Sequence, residues 1–454
     1  MVAPRRISKG FAVKARDGHQ CRATIGTLPL EVLSEIFVFA VLSYDDPSDI
    51  IDQPTTISHV CRRWRQISIL TSLLWTNIYL FFPLTIHQLT RTTTWLSRSR
   101  HRPLHICMDF RDPSWDWNEY THSFSLQAME SVMHLLLPKV HRWQSVELYT
   151  DTWDPIFTFL SYTAPVKSAP CLRDIQLARC NAYFATKGQS FQPANLISPI
   201  AWFDGGAGLS ALCKVSLSGV HVDWEKSGLR GLKVLELKYH AQEVMPSVEE
   251  FLAITQACPQ LERLSVLGWG PRRDRTKKIS PPTIQLPSLQ ELSLGYVDVD
   301  YAIDFLSMIF VPNLRSFSIE DVAVTLDPSD AQDASRLFDY LSSADDGSGL
   351  PRLPLPSLRT LSLRGVTVEN DAVHPLFSLC RSVEAICLSG MDAPSLRAFL
   401  VGLYLFPLLA TLTLKGIDSG ILSDVLASTP DIPIPDLRIF MDLPADAADT
   451  DTAI

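Results

Sequence analysis

The side chains that could do chemistry are plentiful but do not converge. Nine cysteines (Cys21, Cys61, Cys107, Cys171, Cys180, Cys213, Cys258, Cys380, Cys387) are odd in number and irregularly spaced, with no Cys-x-x-Cys pair. That usage suits a reducing compartment, where thiols serve as small core residues, and it gives zinc no ligand set. His101, His105, His134 and His141 make no convincing metal site either. "GGAG" at 205–208 is too short for a dinucleotide loop, and no nucleophile elbow, P-loop or paired-carboxylate motif is present. The basic run "GPRRDRTKKIS" (Arg272, Arg273, Arg275, Lys277, Lys278) reads first as a solvated loop and second as a nuclear-import or acidic-partner patch. The expectation is a non-catalytic chain with no metal and no cofactor, working through surfaces.

Composition narrows those surfaces. The chain has 454 residues, 46% hydrophobic, and 62 of them are leucine, enough to bury a large core. The net charge of −9 argues against a generic nucleic-acid binder, which needs a basic face. The most apolar early run, 28–42, contains Glu31, Ser34 and Glu35, so no membrane span is expected. Residues 1–25 are basic without an apolar stretch and are expected to form a disordered arm, not a secretory signal.

The leucines are periodic. Apolar residues at positions one, four and six recur in "LCKVSL" from Leu212, "LKVLEL" from Leu232, "LERLSV" from Leu261, "LQELSL" from Leu289, "LRSFSI" from Leu314, "LRTLSL" from Leu358, "VEAICL" from Val383 and "LATLTL" from Leu409. Weaker copies start at Trp143, Leu172 and Leu437. From Leu232 onward the starts lie 29, 28, 25, 44, 25, 26 and 28 residues apart. The short gaps match a leucine-rich repeat, whose units bury their apolar stripe only by stacking. The gap of 44 holds an acidic insertion, 327–353, expected to be flexible. Helices are predicted over 125–137, 248–257, 302–309 and 394–403. Strand alternation places positions three and five on the opposite face, with position seven. The candidate target-binding residues there are Lys214, Glu236, Lys238, Arg263, Glu291, Glu320, Arg364 and Lys415. A solvated sheet face would be polar as well.

The first 80 residues differ in texture. Leu30, Leu33, Phe37, Ala40 and Val41 follow helical spacing, with Glu31 and Glu35 early where the helix dipole favours anions. An Asp/Pro-rich gap, 43–56, reads as a long loop. A second stripe follows at Ile57, Val60, Cys61, Trp64 and Ile67, then a short segment "SLLWTNIYL". Three short helices in about 55 residues make a marginal core, so a partner or the adjoining repeats should help support it.

The pattern Leu28-Pro29, Glu31, Leu33, Ile36-Phe37, Val60-Cys61, Trp64 and Leu74-Trp75 resembles the F-box. With the repeats behind it, the chain is similar to fungal-type F-box/leucine-rich-repeat proteins. The resemblance implies a fold of class α/β: a three-helix F-box, then a leucine-rich-repeat solenoid with a curved parallel sheet and helices on its convex side. It implies docking on a Skp-type adaptor, and through it a cullin–RING ubiquitin ligase, by Leu28, Pro29, Leu33, Ile36, Phe37, Val60, Cys61, Trp64, Leu74 and Trp75. For Leu33, Cys61 and Ile67 a place in the module's own core is at least as well supported, and the long gap at 43–56 bears on the strength of docking. The solenoid would capture a protein target, in the cytoplasm or nucleus, with neither nucleic acid nor membrane as partner. The competing reading is a non-enzymatic repeat scaffold with a vestigial F-box. The expected division is an arm at 1–25, F-box at 26–80, connector and cap at 81–140, solenoid at 141–443 and an acidic tail at 444–454.

Overall fold

The structure, a computed structural model, describes residues 25–43, 47–273, 283–343, 353–428 and 437–440. The chain divides into two compact units, Met1–Leu74 and Trp75–Ile454. The expected arm, apart from Ile25, and the tail at 444–454 lie outside the described residues.

In the first unit three helices follow one another: α1 (Leu30–Leu42), α2 (Pro47–Val60) and α3 (Arg62–Leu70). Leu33, Phe37 and Val41 of α1 are buried, spaced four apart as one helical stripe. They share a core with Ile51 and Ile57 of α2 and Ile67 of α3, and the Phe37 and Trp64 rings lie 4.8 Å apart. The stretch read as a loop at 43–56 is therefore mostly helix. Pro47 sits at its first position, where no backbone N–H is needed. Pro54 lies inside and is itself buried. The second apolar stripe is not one helix. It breaks at Cys61, whose extended backbone and Sγ, accepting from Trp64 N at 3.4 Å, cap α3. "SLLWTNIYL" is a single helical turn, Ser72–Trp75, followed by a strand.

The second unit runs β1 (Asn77–Phe81), α4 (Ile86–Arg98), β2 (Leu104–Asp109), α5 (Leu126–Leu136), β3 (Trp143–Thr150), α6 (Trp153–Thr163), β4 (Asp174–Arg179), β5 (Lys214–Ser218), β6 (Val234–Lys238), α7 (Val248–Ala257), β7 (Arg263–Leu267), β8 (Ile284–Gln285), β9 (Glu291–Tyr296), α8 (Val299–Met308), β10 (Ile309–Phe310), β11 (Ser316–Asp321), α9 (Val322–Leu326), α10 (Ser335–Ser342), β12 (Thr360–Arg364), α11 (Asn370–Leu379), β13 (Ala385–Ser389), α12 (Ala393–Gly402), β14 (Thr411–Lys415), α13 (Ser419–Ser428) and β15 (Leu437–Phe440). Among the described residues thirteen strands form one sheet in sequence order, while β8 and β10 pair with each other. All pairings are parallel. Each strand thus lies beside its nearest sheet predecessor, the topology of a solenoid.

The repeat register is continuous. Position four runs Val215–Leu235–Leu264–Leu292–Phe317–Leu361–Ile386–Leu412 across neighbouring strands. Position six forms a second buried ladder from Leu217 to Leu414. Each fully buried leucine contributes about 1.5–3 kcal/mol, so these ladders dominate the unit's cohesion. Helices cover this side, their buried rings meeting across the array: Phe377 with Phe399 in the next repeat, and Phe251 with Phe305 and Phe338 with Phe399 one repeat further on. Strand exits at Gly219, Gly268, Gly365, Gly390 and Gly416 have positive φ. Tyr239 takes the same exit with φ 53°, a costlier conformation for a residue with a Cβ, and is buried there.

Two boundaries move. The sheet begins at Asn77, so 81–140, expected as connector and cap, contributes β2 and two helices to the array. The insertion at 327–353 is not wholly flexible: α10 buries Leu337, Phe338 and Leu341, while 344–352 lie outside the described residues.

Candidate functional site

The first unit carries more apolar surface than its core requires. α1 is apolar on two faces. Leu33, Phe37 and Val41 point inward, while Val32, Ile36 and Phe39, also at helical spacing, are exposed, Phe39 by 78%. Val60, Ile69 and Leu70 are exposed as well. Lone exposed leucines are ordinary, but a helix face of this kind asks for a partner.

The proposed adaptor residues separate into groups. Pro29, Ile36, Val60 and Cys61 are exposed. Leu28 is half-buried, its carbonyl accepting from Arg63 Nη2 at 2.5 Å, and Trp64 is half-buried against Phe37. Leu33, Phe37, Leu74 and Trp75 are 3% exposed or less, so in this conformation they act as core residues and not as contact anchors. Trp75 meets Trp95 edge-on at 5.5 Å, with the Arg98 guanidinium 4.4 Å over its ring. Sequence reading missed Val32 and Phe39. The signal was present in "LEVLSEIFVFAVL", which is apolar almost all round.

The other surface is the polar side of the sheet. Lys238, Leu267, Gly295, Glu320, Arg364, Ser389 and Lys415 line up strand to strand. Glu236 binds Lys238 at 2.9 Å and accepts from Ser216 at 2.7 Å. Burial works against its charge, but these bonds outweigh it and hold Glu236 below the usual carboxylate range. Arg263 and Glu291 face each other at 3.8 Å, both exposed, and Lys214 is half-buried. Glu320 departs from expectation. It is buried, which pushes its carboxyl up, and Arg364 at 3.8 Å only partly offsets this. It acts as an internal member of the row and not as an accessible recognition group. Lys415 is exposed.

Of the basic run, Arg272 reaches the Met245 carbonyl at 2.7 Å and Arg273 meets Asp304 at 3.6 Å; Arg275, Lys277 and Lys278 lie outside the described residues. Among the described residues no group of His, Cys, Asp and Glu could hold a metal, and no helix is long and apolar enough to cross a membrane.

Residues 25–81 match the F-box-like family. The chain carries an F-box-like domain. Its last matched residues, 77–81, are strand β1 of the second unit. Such a domain implies a Skp-type adaptor as partner. No curated protein sequence matches the chain. Among solved structures, the TLR13–ssRNA13 complex is similar at 14% identity and a TM-score of 0.31, over 75% of this chain and 36% of that one. The chain thus spans about a third of that protein's length. The Rad7 and Elc1 complex in yeast is similar at 13% identity and a TM-score of 0.32, over 85% of this chain and 88% of that one.

Proposed function

We propose that the chain is the substrate-recognition subunit of a Skp–cullin–F-box ubiquitin ligase. The F-box-like domain docks on the Skp adaptor, and the sheet unit, built as leucine-rich repeats, captures a protein target for ubiquitination. The chain supplies no catalytic group of its own and works in the cytoplasm or nucleus. The observation that carries this reading is the unpartnered apolar face of α1, Val32, Ile36 and Phe39, on a domain of the adaptor-binding family. Exposed aromatic and aliphatic anchors of this type dominate binding energy.

Calorimetric titration of the full chain with a purified Skp adaptor tests it. Wild type is expected to bind. The pair Ile36→Glu with Phe39→Glu, both on the surface, is expected to weaken binding at least about thirtyfold, a hot-spot-sized loss, with thermal unfolding unchanged. No binding by wild type, or equal binding by the variant, removes the adaptor link and leaves the repeat scaffold with a vestigial F-box.

A further inference from the structure

The segment between β2 and α5 is a closed surface loop with an unusual content. The rings of Phe110 and Phe124 stack at its base, 4.0 Å apart and 14° from parallel. Between them 110–124 forms a compact omega-type loop, a form in which function often resides. Two buried contacts fasten it to the ends of neighbouring strands. The carboxylate of Glu119 binds Arg179 Nη2 at 2.7 Å and accepts from Trp153 N at 2.6 Å. His122 Nε2 donates to Asp151 at 3.0 Å, with Phe124 N donating to His122 Nδ1 at 3.0 Å. Asp151 also accepts from Asp112 N at 2.7 Å.

The loop's interior is set by side-chain turns. Asp112 accepts from Ser114, and Asp116 accepts from Asn118 N and from Thr121 Oγ1 at 2.8 Å. Trp115 Nε1 donates to Asn118 O at 3.0 Å. All this fixing holds two large aromatics in solvent: Trp117 is 69% exposed and Tyr120 78%. Trp117 has φ 62°, a left-handed backbone that a side chain of this size rarely adopts. Strain held in place by surrounding contacts is characteristic of ligand clamps. The Trp115 ring backs Trp117 at 5.4 Å.

Charge selects the occupant. From Asp109 to Phe124 the chain has four carboxylates and one guanidinium. Arg111 is spent on Asp109 in a two-pronged pair, and Arg179 is buried on Glu119. Asp154, at the start of α6, adds a further exposed carboxylate beside Glu119 and Arg179. The same pairs neutralise Asp109 and Glu119, so the attraction comes from Asp112, Asp116 and Asp154, and exposed indole and phenol faces near these carboxylates suit a cationic side chain. We propose that loop 110–124 is a target-docking element that receives a basic protein segment, its Arg or Lys side chains stacking on Trp117 and Tyr120 with Asp116 alongside. This deepens the target-receptor reading and rests on it. It also places capture at the rim of the N-terminal strands, away from the charged row between β6 and β14.

The probe is a fluorescein-labelled nona-arginine peptide, titrated by anisotropy with the full chain at two salt concentrations. Wild type is expected to bind, and neither a nona-glutamate peptide nor an oligo-uridine strand is expected to do so. Trp117→Gly with Tyr120→Ala leaves the net charge untouched and eases the left-handed backbone, yet is expected to weaken binding at least about tenfold. Trp117→Phe with Tyr120→Phe, which keeps both rings, is expected to retain most of it. Failure of wild type to bind, equal binding by the Gly/Ala variant, or preference for the acidic peptide or the nucleic acid overturns the proposal. Skp binding by the same variant is expected to equal wild type, so loss of this site and loss of adaptor docking are read separately.

Discussion

Lowering the pH from about 7.5 to about 5 is expected to cost the second unit about 4 kcal/mol through two buried histidines, His221 and His240. Burial lowers both to about 4 from an ordinary 6.5. Each donates Nε2–H to a backbone carbonyl, Ile197 and Val220, at 2.8 and 2.7 Å. Each has a buried Nδ1 with no partner. A proton arriving there would create a charge away from water, which the backbone carbonyls beside each ring offset only in part. The unfolded chain therefore binds more protons than the folded one between about pH 4 and 6.5. Stability is fully present above that window and falls as pH drops through it. With these values each histidine costs about 2 kcal/mol at about pH 5 and almost nothing at about pH 7.5. Buried carboxyls oppose this: Glu119, Asp151, Glu320 and Asp321 are all pushed up by burial, so the folded chain takes up their protons first. The decisive quantity is thus the difference between wild type and His221→Phe with His240→Phe. Urea unfolding followed by tryptophan fluorescence measures it, because Trp153 lies flat on His221 at 4.8 Å and Trp224 stands 6.0 Å from His240. The variant starts less stable, having lost two hydrogen bonds, but its acid-induced loss is expected to be smaller than that of wild type by about 4 kcal/mol. Equal pH dependence in the two proteins would refute the assignment of these groups as neutral in the fold.

Leu292→Ala, in the middle of the position-four ladder and 1% exposed, is expected to destabilise the second unit by about 2–5 kcal/mol in urea unfolding. Ser293→Ala on the opposite face should stay within about 0.5 kcal/mol. Glu119→Ala leaves the buried Arg179 guanidinium unpaired and is expected to cost about 3–5 kcal/mol. Adding Arg179→Met should recover part of that loss, which a double-mutant cycle reads directly.

The array was legible where its leucines keep position, from Leu212 onward, because a parallel register makes each strand repeat its neighbour's alternation. It was not legible at the start. β1 fits the same spacing, but Trp75 and Ile78 take the place of leucines ahead of Leu80, and Trp75 also completes the helical module's pattern. β2 has Pro103 before Ile106 and Met108, and its pairing with β3 shifts register after Leu104. α2 was hidden by Asp46, Pro47, Asp49, Asp52 and Pro54, a composition that reads as turn. Its buried Ile51, Pro54 and Ile57 are nevertheless three apart, and tertiary burial outweighs local propensity.

The docking pattern shows why a matched motif is not yet a contact list. Leu33 and Phe37 sit one helical turn apart, as do Val32 and Ile36, yet the first pair closes the core and the second faces water. Both pairs are apolar, so hydropathy cannot sort them; only the positions of α2 and α3 do. The same holds on the sheet. Glu320 and Lys415 occupy the same column of the polar face, but Glu320 is buried beside Arg364 and Thr325 while Lys415 is exposed. A substitution at Phe37 or Glu320 would therefore report on folding first, whereas Phe39, Trp117 and Tyr120 are exposed enough that a loss of binding there reports on binding. That distinction decides which variants can carry a functional test.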